Sequence, residues 1–244
     1  MDVDDVTQRE LAYHEKLYSG FAQQHFARPA VRALRADMVE RIVKLTGVTT
    51  RSRVLSLGCG IGDTELLLAP KVGEIVGVDL SPSAIRQARI DADRLGVGNA
   101  KFVEGTDAEG RYDAVIAIFF LHHLPDSELE ALPARLRNWG GVFYSLDPSR
   151  RRLSGAIGRL LIPGLMKRYQ SEDERELDPE STVTIFKRAN FETRVLTYDF
   201  ASSPLAGLFP GWRAGYSIMR RLDDVLLRTP LARVGSNFEI LARP

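Results

Sequence analysis

The sequence predicts an α/β protein built on a doubly wound, mostly parallel seven-stranded sheet, and three observations carry that prediction. Apolar runs of about five residues alternate with amphipathic ones from residue 53 onward, the pattern of buried parallel strands joined by crossover helices. The first run, 53–57, leads directly into Gly58-Cys59-Gly60-Ile61-Gly62-Asp63 and then a helical stretch. The second run ends on Asp79, at the sheet edge where the first run also ends.

In chain order, apolar residues at helical spacing come first: Leu11, Leu17 and Tyr18, then Val31, Leu34, Met38, Ile42 and Leu45 after Pro29. Two helices should therefore precede the sheet. Strand runs follow at 53–57, 74–78, 101–103, 112–118 and 142–146, with helical runs at 63–69, 83–95 and 126–136. The resulting order is β-α-β-α-β-β-α-β. From Pro148 the rhythm breaks, and 150–170 carries basic residues and no acidic one. A helix at 179–189 and a strand at 192–198 resume the sheet. A second excursion, 202–234, precedes a last strand at 237–242, which we expect to run antiparallel. The domain reading is one unit, 1–244, divided into N-terminal helices (1–47), a core (48–147) and excursions at 148–178 and 202–234.

The bulk numbers narrow the function. With 244 residues and 44% hydrophobic content the chain can bury a full core. Its 33 Lys+Arg against 32 Asp+Glu leave a formal charge of +1, so the whole-molecule field offers little general attraction for nucleic acid or an anionic bilayer, which leaves room only for local patches. The single cysteine, Cys59, excludes an internal disulfide and a thiolate metal cluster. The acidic start without a basic-then-apolar segment and the lack of a long apolar run lead us to expect a cytoplasmic protein with no bound metal.

The glycine turn lets the backbone bend sharply and approach a ligand, while the free N–H groups of the next helix face the crevice. Asp79 stands 21 residues after Gly58, placed to accept hydrogen bonds from both hydroxyls of a ribose. The competing role for Asp79, capping the helix near Pro82, suits Ser81 better. The turn reads Gly-x-Gly-x-Gly followed by Asp63, not the wider Gly-x-Gly-x-x-Gly that admits a pyrophosphate. A carboxylate just past the turn repels phosphate but not a cationic ligand.

Through Val54-Leu55-Ser56-Leu57-Gly58-Cys59-Gly60-Ile61-Gly62 and Val76-Gly77-Val78-Asp79-Leu80-Ser81, the chain resembles the class I S-adenosylmethionine-dependent methyltransferases. Val103-Glu104-Gly105-Thr106-Asp107-Ala108 and Tyr112-Asp113-Ala114-Val115-Ile116-Ala117 extend the likeness in the same order. The resemblance implies S-adenosylmethionine as cofactor. Gly58, Cys59, Gly60 and Gly62 would flank its methionine and ribose parts, Asp79 would hold the ribose, and Leu80 would lie on the adenine face. Thr106, Asp107 and Ala108 would meet the adenine edge. One departure stands out: many members carry an acid where this chain has Ser56, near the cofactor's amino group, and a serine brings no charge there.

Catalytic candidates lie in Ile118-Phe119-Phe120-Leu121-His122-His123, after the fourth strand. Methyl transfer needs alignment, exclusion of water and sometimes removal of a proton, and His122 or His123 could act as that base. At most one of them should face the methyl group. By resemblance, the segment around Tyr18 closes over the cofactor, with the Tyr18 hydroxyl at the methionine carboxylate; a surface helix with buried tyrosines is the plainer alternative. The excursions join apolar stretches to basic residues such as Arg150-Arg151-Arg152 and Arg220-Arg221. They read as a lid for a small or lipid-like acceptor with peripheral membrane contact, or else as mutually buried faces or a dimer interface in a monomer or homodimer. Nucleic acid is not an expected partner, since no extended basic stripe is present and the place after strand four lacks an Asn-Pro-Pro-Tyr-type segment. The non-enzymatic competitor is a cofactor-binding regulator that has lost catalysis.

Overall fold

The computed structural model describes residues 27–155 and 176–244. The first expected helix with Tyr18, and most of the first excursion, lie outside the described residues. Helix α1 (Pro29–Thr46) starts with proline at its first turn, where a missing N–H costs nothing. Then come β1 (Arg53–Leu57), α2 (Asp63–Leu68), β2 (Glu74–Asp79), α3 (Pro82–Leu95), β3 (Ala100–Glu104) and β4 (Ala114–Ile118). They are followed by α4 (Asp126–Trp139), β5 (Val142–Pro148), α5 (Pro179–Arg188), β6 (Glu192–Asp199), α6 (Ser202–Leu208), α7 (Arg213–Leu226) and β7 (Asn237–Arg243).

The seven strands lie in the order β3-β2-β1-β4-β5-β7-β6. β1 pairs in parallel with β2 on one side and β4 on the other, so the winding reverses between β1 and β4. A ligand crevice belongs above the carboxyl ends of those two strands. β7 pairs antiparallel with both β5 and β6, as the sequence led us to expect.

Strand alternation divides the core. Val54, Ile75, Ile116, Tyr144 and Leu241 pack with Leu34, Met38 and Ile42 of α1 and with Tyr216 of α7. Leu55, Val76, Val115, Phe143 and Ile240 face the other way, against Leu129, Leu132 and Leu136 of α4 and Val183 and Phe186 of α5. Helix α3 contributes Ile85, Ala88 and Ala92 to a smaller cluster with Leu66 and Phe102. Ser81 caps α3, accepting from Ala84 N–H at 3.1 Å, which fulfils the capping assignment made above.

Element ends differ slightly from expectation. β4 begins at Ala114, and just before it the Asp113 carboxylate accepts from Arg53 N–H at 2.8 Å. β5 runs on to Pro148 because its last residues find partners on antiparallel β7.

α1 is fastened across the sheet by a polar contact far apart in sequence. Arg41 Nε and Nη2 donate to Glu239 Oε1 and Oε2 at 2.9 and 2.7 Å, and Tyr144 Oη donates to Oε1 at 2.7 Å. Glu239 is fully buried on β7, and this set of donors is what makes a charge tolerable there.

Candidate functional site

The crevice floor is the turn after β1. Gly58 and Gly62 hold φ of 64° and 75°, and neither could carry a side chain. A Cβ on Gly58 would meet Phe120 Cδ2 at 2.2 Å, and one on Gly62 would meet Phe102 Cζ at 2.7 Å. Aromatic rings thus press on the turn and fix its shape. Cys59 is buried with Phe102 and Ile85, and burial pushes its thiol pKa well up. Its Sγ would lie 2.8 Å from a Cβ on Gly77, so the side chain supports β2 from within the core.

Asp79 has a structural task that neither sequence reading included. Its Oδ2 accepts from Gly60 N–H at 2.8 Å and its Oδ1 from Ser81 N–H at 2.9 Å, tying the turn to the end of β2. Each carboxylate oxygen retains a second lone pair for a hydroxyl donor. Leu80 beside it is exposed.

A cavity of about 340 Å³ opens beside the turn, bounded by Gly58, Gly60, Arg35, Glu65, Phe119 and His123 among others. Arg35 arrives from α1 and pairs with Asp63 at 2.6 Å, its guanidinium 5.5 Å from the Phe119 ring centre. Glu65, on the inner side of α2, is 2% exposed. Ser56 Oγ donates to Glu65 Oε1 at 2.6 Å. Burial, and to a lesser degree Asp63, lift the Glu65 carboxyl to about 7, against the opposing effects of Ser56 and Arg35. Phe119 sits at φ 54°, an uncommon conformation for a bulky residue, in the loop that follows β4.

The two histidines lie in different surroundings. His123 lines the cavity. His122 is buried, its Nδ1 2.9 Å from Asp147 Oδ1, while its backbone N–H donates to the same oxygen at 3.3 Å. The two rings lie 4.0 Å apart between centres, so the Asp147–His122 pair backs the ring that faces the cavity.

Thr106, Asp107 and Ala108 stand apart from that cavity. Asp107 and Ala108 line a second groove with Arg135 and Trp139, of about 530 Å³. Asp107 Oδ1 accepts from Ala108 N–H at 2.8 Å and from the Trp139 indole at 3.1 Å, and Arg135 donates to the Thr106 carbonyl. The structure therefore brings Gly58, Cys59, Gly60, Ser56 and His123 to one place, with Asp79 bonded to its rim and Asp107 in the neighbouring groove. Tyr18 lies outside the described residues. Sequence reasoning missed Arg35, Glu65 and Asp147. For Glu65 a signal existed, because the missing acid at Ser56 invites a search for a nearby replacement.

The charges at this crevice fit the cofactor that the resemblance implies. S-adenosylmethionine presents a ribose diol, a sulfonium, an ammonium and a carboxylate; the crevice offers Asp79 at its rim and the buried Glu65 beside Arg35 and Asp63. Carboxylates suit the diol and the cations, and a guanidinium suits the carboxylate.

Comparison with known proteins agrees. Residues 54–140 match the family described as "Methyltransferase domain". The chain is 27% identical over 197 residues to the ubiquinone biosynthesis O-methyltransferase of Bordetella avium, covering 77% of this chain and 82% of that one. The structure of DhpI in complex with S-adenosylhomocysteine superposes with a TM-score of 0.61 at 17% identity, covering 97% of this chain and 96% of that one. The cyclopropane synthase MmaA2 of Mycobacterium tuberculosis gives 0.59 at 14% identity, covering 89% and 87%. The glycine turn at the reversal of a 3-2-1-4-5-7-6 sheet, the acid ending β2 and the matched domain lead to one conclusion: this chain is an S-adenosylmethionine-dependent methyltransferase with the class I fold.

Proposed function

We propose that the chain methylates a hydroxyl on a small, largely apolar acceptor that enters the cavity beside Phe119 and His123. The observation that carries this reading is the His123 ring in the wall of the cavity that also holds the glycine turn, backed by the His122–Asp147 pair. When bound, the cofactor supplies an electrophilic methyl group on a cationic sulfur. His123 accepts the acceptor's hydroxyl proton as the oxygen attacks. Asp147 and His122 hold that ring in place, while Val31, Leu34 and Ile118 keep water out. Gly58, Gly60, Asp79 and Glu65 hold the cofactor; Asp107 and Ala108 receive its adenine edge. Support for oxygen as the methylated atom comes from the O-methyltransferase name of relatives that align over most of this chain.

The acceptor we envisage has a lipid-like part. Phe209 and Trp212 before α7, and Ile218 and Val225 along it, are exposed beside Arg213 and Arg221. Such a surface suits an apolar ligand or the face of an anionic bilayer. No helix among the described residues is long and apolar enough to cross a membrane. We place the enzyme in the cytoplasm, acting on a small molecule rather than nucleic acid.

The test is release of S-adenosylhomocysteine with a panel of phenols, with and without prenyl chains, set against amines and tRNA. Turnover only with an amine or with RNA would overturn the reading. Co-sedimentation with anionic vesicles at low salt checks the surface, and no enrichment removes the membrane part.

A further inference from the structure

Resting on the cofactor assignment above, we propose that Glu65 binds the α-ammonium of the cofactor's methionine end, supplying from helix α2 the charge that strand β1 lacks at Ser56. Three observations converge. First, Glu65 is a nearly fully buried carboxylate in the wall of the cavity beside the glycine turn. Second, no basic side chain among the described residues pairs with it: Arg35, the guanidinium that shares its cavity, is 2.6 Å from Asp63. A buried carboxylate without a counter-charge is costly and persists where a ligand supplies the cation. Third, among the described residues the one side chain that bonds it is Ser56, whose hydroxyl donates at 2.6 Å. An acid at position 56 would set two carboxylates against each other, and a serine converts the same position into a donor that orients Glu65.

Ser56 and Glu65 are therefore one device: the strand residue is the positioning group and the helix residue carries the charge. Burial holds the carboxyl near neutrality in pKa, which fits a group that ionises fully once a cation arrives. The groups facing it are Asp63 on its own helix, Arg35 from α1, Cys59 in the turn and His123 across the cavity.

The experiment is calorimetric titration of wild type and Glu65→Gln with three ligands: S-adenosylmethionine, S-adenosylhomocysteine and 5′-methylthioadenosine, which lacks the amino-acid end. We expect Glu65→Gln to weaken the first two alike, by roughly tenfold or more, and to leave the third within about twofold. Ser56→Ala should weaken the first two by a smaller factor with the same selectivity. Unchanged affinity for S-adenosylhomocysteine overturns the proposal, as does an equal loss for all three ligands. A loss confined to S-adenosylmethionine also overturns it, because that result assigns Glu65 to the sulfonium. Wild-type protein that binds none of the three refutes the cofactor assignment itself, a distinct outcome.

Discussion

Glu65→Gln should stabilise the ligand-free enzyme at alkaline pH while impairing its use of cofactor. The folded-state pKa of Glu65 is raised from 4.5 to about 7. Below pH 4.5 both folded and unfolded forms carry the proton and the residue is neutral in its effect. Between these values the unfolded chain releases the proton and the folded chain keeps it, so the folded state loses stability as pH rises. Above about 7 the carboxylate is ionised in both states and its burial cost is complete. At 1.36 kcal/mol per unit, that cost is on the order of 3 kcal/mol. Glutamine has the same shape, can still accept from Ser56 and carries no charge, so it escapes the cost. Thermal unfolding at pH 5 and pH 8 measures the effect, with a melting rise of roughly 2–4 °C per kcal/mol expected for a chain of this size. The variant should gain little at pH 5 and most at pH 8. Saturating S-adenosylhomocysteine should then reverse the order at pH 8, since the wild-type carboxylate gains its cation. An equal difference at both pH values, or a variant less stable than wild type at pH 8, would refute the reasoning.

Other expectations follow from neighbouring contacts. Asp79→Asn leaves one acceptor oxygen where the wild type has two, and should cost about 1.5–3 kcal/mol in S-adenosylhomocysteine affinity by calorimetry; equal affinity removes Asp79 from the ribose site. His123→Ala should lower kcat by about 10²–10⁴-fold with cofactor affinity within about twofold, whereas Asp147→Asn should act more weakly through ring position, and an unaltered kcat in the first variant removes the base. Arg41→Met strands the buried Glu239 carboxylate and should destabilise by about 3–5 kcal/mol in urea; a loss below about 1 kcal/mol shows that the pair is not structural.

The sheet and the turn were legible because their signals are local. Five-residue apolar runs, a glycine turn and an acid at the end of the next strand lie within short stretches, and their order alone fixes which strands meet at the reversal point. The capping role of Ser81 was readable for the same reason. The contacts missed are of another kind. Arg41 and Glu239 stand 198 positions apart, and Asp147 reaches back 25 positions to His122. No periodicity or spacing rule joins such pairs, because it is the fold that brings them together. Asp79 was legible as an acid but not as a brace, since its bonds to Gly60 and Ser81 N–H groups leave no mark in the choice of those residues.

The long-range contacts also explain why the cavity has walls from both ends of the chain. α1 carries Val31, Leu34 and Arg35 to one side of it, and the Arg41–Glu239 clamp about two to three turns further along pins that helix to β7. α6 brings Ser203 and Gly207 to another side, and its start is fixed by two buried acids. Asp199 accepts from Ser203 N–H at 2.7 Å and from Asn237 Nδ2 at 2.8 Å, while Asp223 of α7 accepts from Ala201 and Ser202 N–H at 3.0 and 2.9 Å. Burial raises the Asp199 pKa, so the same linkage applies as at Glu65, but here the acid faces backbone donors and a fixed amide rather than a ligand. Replacing Asp223 with Asn should therefore loosen α6 and weaken acceptor binding, seen as a higher KM with cofactor affinity unchanged. A fall in cofactor affinity instead would mean that α6 serves the methionine end of the cavity, and the division of labour between Glu65 and the Ser203 side would have to be redrawn.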